Sequence, residues 1–449
     1  MLRSRVTRVH RVGSFLSTAA IIAVCACTSG EKTSTTASNA AATACDTTLT
    51  LPAGFCATIF ADTIGHARHI AVAANGDVFV NTVPSRGQNG PPPHPGGVIV
   101  ALRDTNHSGH ASVIARFGSD GTQPHTGGTG IAVYNGYVYA EDGANIVRYK
   151  LQTGGALVPD TTAEVILSGM PIDKGHTMHP FLIDSSGTMY IDMGSATNSC
   201  QAKDRALQAP GAKPCPELST RAGIWKYDAN KPGQAFSAKA RFATGLRNAE
   251  GYGINPADGK LYATQHGRDQ LGENWPKDFT MAQSAELPAE EVVQVVQGGD
   301  YGWPYCYFDG QQGKLVLAPE YGGNGKTIGL CANKRAPVAW YPGHWAPDDL
   351  HFYRGTQFPD HYHGGAFIAF HGSWNRAPLP QGGYNITFVP WTAHPDSTHE
   401  TFADGFAGKV KQPDKADHRP TGLAEGPDGS LYITDDQNGR VWKVTYKGS

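Results

Sequence analysis

The amino-acid sequence predicts an all-β chain, folded as a six-bladed β-propeller with a long insertion between the fourth and fifth repeat units. Three observations carry this. Glycine is 55 of 449 residues, about 12% against a usual value of about 7%, and proline adds 30 more. Both interrupt helix interiors and populate tight turns. One strand signal also recurs six times, and its copies spread along nearly the whole chain.

The unit is a glycine turn followed by alternating β-branched, aromatic and apolar residues. It reads Asn75-Gly-Asp-Val-Phe-Val, Asn135-Gly-Tyr-Val-Tyr-Ala and Ser186-Gly-Thr-Met-Tyr-Ile. It returns as Asp258-Gly-Lys-Leu-Tyr-Ala and Asp428-Gly-Ser-Leu-Tyr-Ile, with a looser copy at Gly364-Gly-Ala-Phe-Ile-Ala-Phe. Asn-Gly and Asp-Gly favour hairpin turns, and the alternation has strand period. Apolar strands precede several turns (Ile70-Ala-Val, Ile131-Ala-Val, Phe181-Leu-Ile, Gly422-Leu-Ala). Further strands follow some of them: Ile146-Val-Arg-Tyr, Ile224-Trp-Lys-Tyr and Val441-Trp-Lys-Val. Each unit is then a small antiparallel sheet. Six sheets favour a radial ring that protects their edges over a β-sandwich with chance repeats. Taking Gly365 as the turn of the loose copy, the widest gap runs from Gly259 to Gly365 and holds an insertion over roughly 267–342.

Lys+Arg number 37 and Asp+Glu 39, a net charge of -2, which argues against a nucleic-acid binder. At 40% hydrophobic, the chain can bury a large core. The N-terminus carries Arg3, Arg5, Arg8 and Arg11, then an apolar run over 13–26 that is too short to span a bilayer. It reads as an export signal over 1–27. Val24-Cys25-Ala26-Cys27 resembles a lipobox, which would attach lipid at Cys27, and ordinary signal cleavage fits equally. Residues 28–44 form a Ser/Thr/Ala-rich tether, and 45–449 the propeller. The expected location is the periplasm. Six cysteines remain in three local pairs, which predicts Cys45–Cys56, Cys200–Cys215 and Cys306–Cys331 as disulfides. There is no CxxC metal pair and no CxxCH haem motif.

Polar clusters flank the repeat strands: Gly175-His-Thr-Met-His179, Gly245-Leu-Arg-Asn-Ala-Glu-Gly251, Gln265-His-Gly-Arg-Asp269, a stretch from Gly343-His-Trp to His371-Gly-Ser-Trp-Asn-Arg376, and His418-Arg-Pro420. A propeller gathers such positions at one face. Histidine suits general-base work, and arginine forks two hydrogen bonds to carboxylates or carbonyls. Taken singly, each has a plainer reading. Loop histidines are usually solvated or bonded to backbone, Trp303, Trp340 and Trp374 usually pack, and Glu290-Glu291 is usually a solvated face.

Together, Ala243-Thr-Gly-Leu-Arg-Asn-Ala-Glu-Gly, Gly298-Gly-Asp-Tyr-Gly-Trp-Pro, His371-Gly-Ser-Trp-Asn-Arg and Arg419-Pro-Thr-Gly-Leu resemble the soluble glucose/sorbosone dehydrogenases. These are six-bladed propellers that use pyrroloquinoline quinone (PQQ), and the likeness is greatest to the sorbosone dehydrogenase-like branch. It covers about 51–446. The resemblance implies His176 as catalytic base and Arg247 beside the reactive carbonyl of the quinone. It implies Asn248, His344, Arg376 and Arg419 as further cofactor contacts. It places the calcium held with the cofactor on the backbone carbonyls of Gly267 and Arg268, and a structural calcium at Glu291 and Tyr301. His179 and Thr421 stand where the family often has arginine. The implied activity is oxidation of aldose sugars or related aldehydes, with hydride transfer to PQQ and electrons passed to an external acceptor. Two other functions stay open: a non-enzymatic binding propeller on the cell envelope, and a calcium-dependent lactone hydrolase. The oligomeric state is not legible.

Overall fold

The computed structural model describes residues 35–36, 44–84, 95–123, 125–152, 154–391 and 398–448. The export signal, Cys27 and most of the tether lie outside them.

Six sheets, each built on a four-strand antiparallel meander, make up the ring. The first blade comprises His66–Val72, Val78–Val83, Ile99–Arg103 and Val113–Phe117. The second has Ile131–Tyr134, Tyr137–Asp142, Asn145–Lys150 and Glu164–Ser168. Phe181–Ile183, Thr188–Met193, Gly223–Asp228 and Arg241–Thr244 form the third. The fourth is Tyr252–Ile254, Leu261–Gln265, Glu290–Val295 and Ala339–Tyr341. Pro347–Phe352, Ala366–Phe370, Asn385–Val389 and Glu400–Ala403 form the fifth. The sixth takes Pro420–Glu425, Leu431–Asp435 and Val441–Tyr446 from the C-terminal end. Its outermost strand, Phe55–Ala61, comes from the N-terminal side and pairs Phe55 with Tyr446 and Ala61 with Val441. This strand closes the ring.

Apolar side chains from adjacent sheets interlock at every blade boundary. Phe79, Ile99 and Phe117 meet Ile131 and Val138 between the first two blades. Phe60, Ile70 and Val78 meet Val441 and Tyr432 where the sixth blade returns to the first. Trp442 and Leu431 pack on Phe367 and Phe388 of the fifth.

Two details differ from the sequence reading. In the fifth repeat the turn residue is Gly364, at φ +71°, and not Gly365, where a Cβ would strike the Phe388 ring. The insertion is also divided, because Glu290–Val295 is a blade strand. Glu290 and Glu291 are buried, contrary to the solvated face expected of paired glutamates. One inserted piece carries the helices Leu271–Asn274 and Met281–Glu286, the second started by a Thr280/Gln283 capping box. The other carries the hairpin of Cys306–Asp309 with Lys314–Leu317. All three predicted disulfides are present.

Candidate active site

Within each meander the inner strand runs from one end of the ring and the second strand returns to it. Residues just before inner strands and just after second strands therefore share that end. All five polar clusters occupy such positions.

His176 is half-buried ahead of Phe181–Ile183. Its Nδ1 lies 3.0 Å from the Ser195 carbonyl and 3.1 Å from Ser195 Oγ. A carbonyl only accepts, so Nδ1 carries the hydrogen and the lone pair is on Nε2. Burial pushes the imidazole pKa down to about 3, and the Arg247 charge adds to the effect. His176 is a neutral base at neutral pH.

Arg247 is buried and donates to the Gly267 carbonyl at 3.0 Å, to Asn198 Oδ1 at 3.2 Å and to Asp269 Oδ2 at 2.9 Å. Its Nε is a buried donor without a partner. Burial raises the Asp269 carboxyl, but Arg247, His344 and Arg205 overcome this and hold it at about 2. Asn375 Nδ2 and Arg205 complete its shell, at 2.9 and 2.7 Å. The reading of single residues did not select Asp269 or Asn198. Arg247, Gly267, Arg268, Glu291 and Tyr301 line one cavity of about 20 Å³, room for a single water-sized occupant. Glu291 Oε2 is buried there without a hydrogen-bond partner, and burial pushes its carboxyl up to about 8. The Arg268 side chain turns away into a buried ion pair with Glu320.

The remaining candidates divide. Arg419 donates to the carbonyls of His371 and Gly372, and its Nη1 has no partner among the described residues. Asn248 turns inward, donating to Glu250 Oε1 at 2.9 Å. His344 is buried on the Ser284 carbonyl at 2.8 Å. Arg376 spends its guanidinium on the carbonyls of Pro380, Ala285 and Gly343 and on Glu286. It clasps the inserted helix to the fifth blade. Thr421 is buried and donates to the Ala67 carbonyl, while His179 is buried on the Asp192 carbonyl. Trp303 packs, but Trp374 is 57% exposed.

The sequence reading missed a charged layer along the axis. Arg68 lies 3.0 Å from Asp436, 3.1 Å from Asp348 and 3.9 Å from Glu250. His266 sits 3.2 Å from Asp348, and although burial opposes its charge, that carboxylate raises the imidazole to about 9. A second buried polar set does carry a sequence signal: the residue five past the turn glycine is polar and buried in five repeats, Asn81, Glu141, Asp192, Thr264 and Thr434.

Fold and site define a six-bladed propeller with a neutral histidine and arginines at one mouth. The chain belongs to the TrAA12-like family, whose model matches residues 49–447. Among relatives, it is 31% identical over 211 residues to an uncharacterized protein of Borreliella burgdorferi, covering 46% of this chain and spanning about half, 48%, of that protein. It is 23% identical over 334 residues to the PQQ-dependent sugar dehydrogenase of Hypocrea jecorina, covering 70% of this chain and 73% of that one. The holo PQQ domain of the pyranose dehydrogenase from Coprinopsis cinerea superposes with a TM-score of 0.67 at 19% identity, over 88% of this chain and 97% of that one.

Proposed function

We propose that the protein is a PQQ-dependent oxidoreductase that oxidises aldose or pyranose sugars or related aldehydes and passes electrons to an external acceptor. The observation that carries this reading is a neutral His176 whose lone pair is on Nε2, electrostatically coupled to the Arg247 guanidinium at one face of the ring.

The residues present fit the cofactor. PQQ is a tricarboxylate, and the site offers an unpartnered buried Arg247 Nε–H and a free Arg419 arm. Arg247 and Arg419 would hold it; the carbonyls of Gly267 and Arg268 would hold its calcium. Bound PQQ supplies a two-electron hydride acceptor. His176 Nε2 takes the proton of the sugar hydroxyl whose carbon is oxidised. Ser195 keeps the ring oriented and in one tautomer. Arg247 offers N–H groups to oxygen that gains negative charge, and Asp269 with Asn198 fixes its plane. Glu291, with the backbone oxygen of Tyr301, would hold the second calcium in the small cavity. Among the described residues no three His, Cys, Asp or Glu side chains form a metal cluster, so these sites depend on carbonyl and amide oxygens. The basic, apolar N-terminus and three disulfides support export to the periplasm, with Cys27 as lipid attachment point or ordinary cleavage as the alternative.

Reconstitution with PQQ and calcium, followed by dye reduction across a sugar panel, tests the reading. Stoichiometric uptake of PQQ with turnover of a sugar is expected. Absence of quinone absorbance after incubation would overturn it in favour of a binding propeller, and lactone hydrolysis with calcium alone would replace it with hydrolase chemistry.

A further inference from the structure

Where the third and fourth blades meet the axis, polar groups are buried without partners. Asp192 is fully buried at the end of the third blade's second strand; its Oδ1 accepts one long bond, 3.3 Å, from the Ala249 amide, and its Oδ2 accepts none. Asn248 is 3% exposed, and with its Nδ2 on Glu250 its Oδ1 is left bare. Glu250 Oε2 is also buried without a hydrogen bond, its nearest cation the Arg68 guanidinium at 3.9 Å. That guanidinium already serves Asp348 and Asp436 at shorter range.

The bare oxygens of Asn248 and Asp192 converge beside Gly194: a Cβ built there would stand 3.0 Å from Asn248 Oδ1 and 3.2 Å from Asp192 Oδ2, and 2.5 Å from the His176 Cβ, so only glycine leaves these oxygens clear. Two ionised carboxylates here would have only Arg68, at 3.9 Å and shared with two other acids, and the Arg221 charge to offset them, and each bare oxygen would forfeit its hydration. Burial, with the neighbouring Glu250, pushes Asp192 well above the usual carboxylate range. The nearby Glu141 does not relieve this, since its own oxygens already accept from the amides of Thr129, Gly130 and His179.

We propose that Asp192, Asn248 and Glu250 hold a divalent cation on the axis of the ring, beside His176. The all-oxygen donor set and its irregular placement suit calcium, which tolerates variable geometry and completes its shell with water. The ligands are closed off from the mouth, so the ion is structural. It ties the second strand of the third blade to the start of the fourth, the two segments that carry Gly194–Ser195 and Arg247.

The site needs no PQQ, so the test uses the PQQ-free protein and does not depend on the proposed oxidoreductase reading. After chelation and re-exposure to calcium, bound metal per chain is counted by mass spectrometry and melting is followed with and without calcium. Asp192→Asn and Glu250→Gln are each expected to hold one calcium fewer than wild type, whereas Glu291→Gln keeps the axial ion. Asp192→Asn has nearly the shape of the native residue and removes an uncompensated charge. Without calcium it is expected to melt at or above wild type, and wild type is expected to rise by several degrees more than the variant when calcium is added. Equal calcium content in wild type and both axial variants, equal calcium-dependent melting shifts, or no calcium bound by wild type would each overturn the proposal.

Discussion

Ser195 fixes the tautomer of His176 through a carbonyl that can only accept. His176→Ala is therefore expected to keep PQQ binding while turnover falls by about 10²- to 10⁴-fold, the range of a lost general base, as read from dye-reduction kinetics. The pKa of about 3 adds a pH statement. The folded value lies below the unfolded one of about 6.5, so the folded state binds fewer protons. This residue's contribution to stability is complete above the unfolded value and is lost as pH falls toward 3. No inflection from His176 is expected in the pH–rate profile from about 5 to 9. Arg247→Gln removes a neighbouring positive charge and should move the His176 titration upward, observable by NMR of the imidazole nitrogens. An unchanged or lowered value would separate the two residues.

The elements around the mouth are held by links that act at a distance from the chemistry. Arg376 joins the loop after the fifth blade's second strand to the inserted helix through Glu286 and the Ala285 carbonyl, and also bonds the carbonyls of Gly343 and Pro380. Arg376→Ala leaves those acceptors unpaired and is expected to cost about 3 kcal/mol in denaturant unfolding. A loss confined to PQQ affinity, with stability unchanged, would instead make it a direct cofactor contact. The Cys200–Cys215 bridge closes a segment of 15 residues, worth about 3 kcal/mol by loop entropy. Asn198 lies just ahead of it and bonds Arg247. Replacing both cysteines by serine should thus lower the melting temperature and also raise KM. At this scale the sequence was readable where one strand obeyed the repeat, as in Tyr137–Asp142 and Leu431–Asp435. It was not readable in Glu290–Val295, where two carboxylates open an apolar run and only the fold supplies their burial. The inward turn of His344 and Arg376 had no sequence signal either, since a motif gives a position and not the direction of a side chain.

For the whole molecule, closure depends on one strand. Phe55–Ala61 joins the last blade across nearly the full chain length, a pairing invisible to local periodicity. Phe55 also packs its ring against Phe358, Phe402 and Tyr446. A chain beginning after Ala61 would leave Val441–Tyr446 as an open edge and bare that cluster. It is expected to lose its single cooperative transition and to aggregate, as seen by calorimetry and light scattering. Six copies of the turn sufficed to read the ring and the gathering of its polar loops at one end. The axial acids were harder to find: Asp192 is a single polar residue inside an apolar strand, while Glu250 and Asp436 sit just beyond strand ends, where acids are usually solvated.

The sixth blade has one more consequence. Cys45 is bridged to Cys56, and the Lys447 amide bonds the Gly54 carbonyl. Both places lie toward the Phe55–Tyr446 end of that strand pair, whereas Val441 and Ala61 mark the end that carries His176 and Arg247. A segment attached after Lys447 therefore emerges at the back of the wheel, away from His176 and Arg247. The face that carries His176 and Arg247 is thereby left clear of the C-terminal end of the chain.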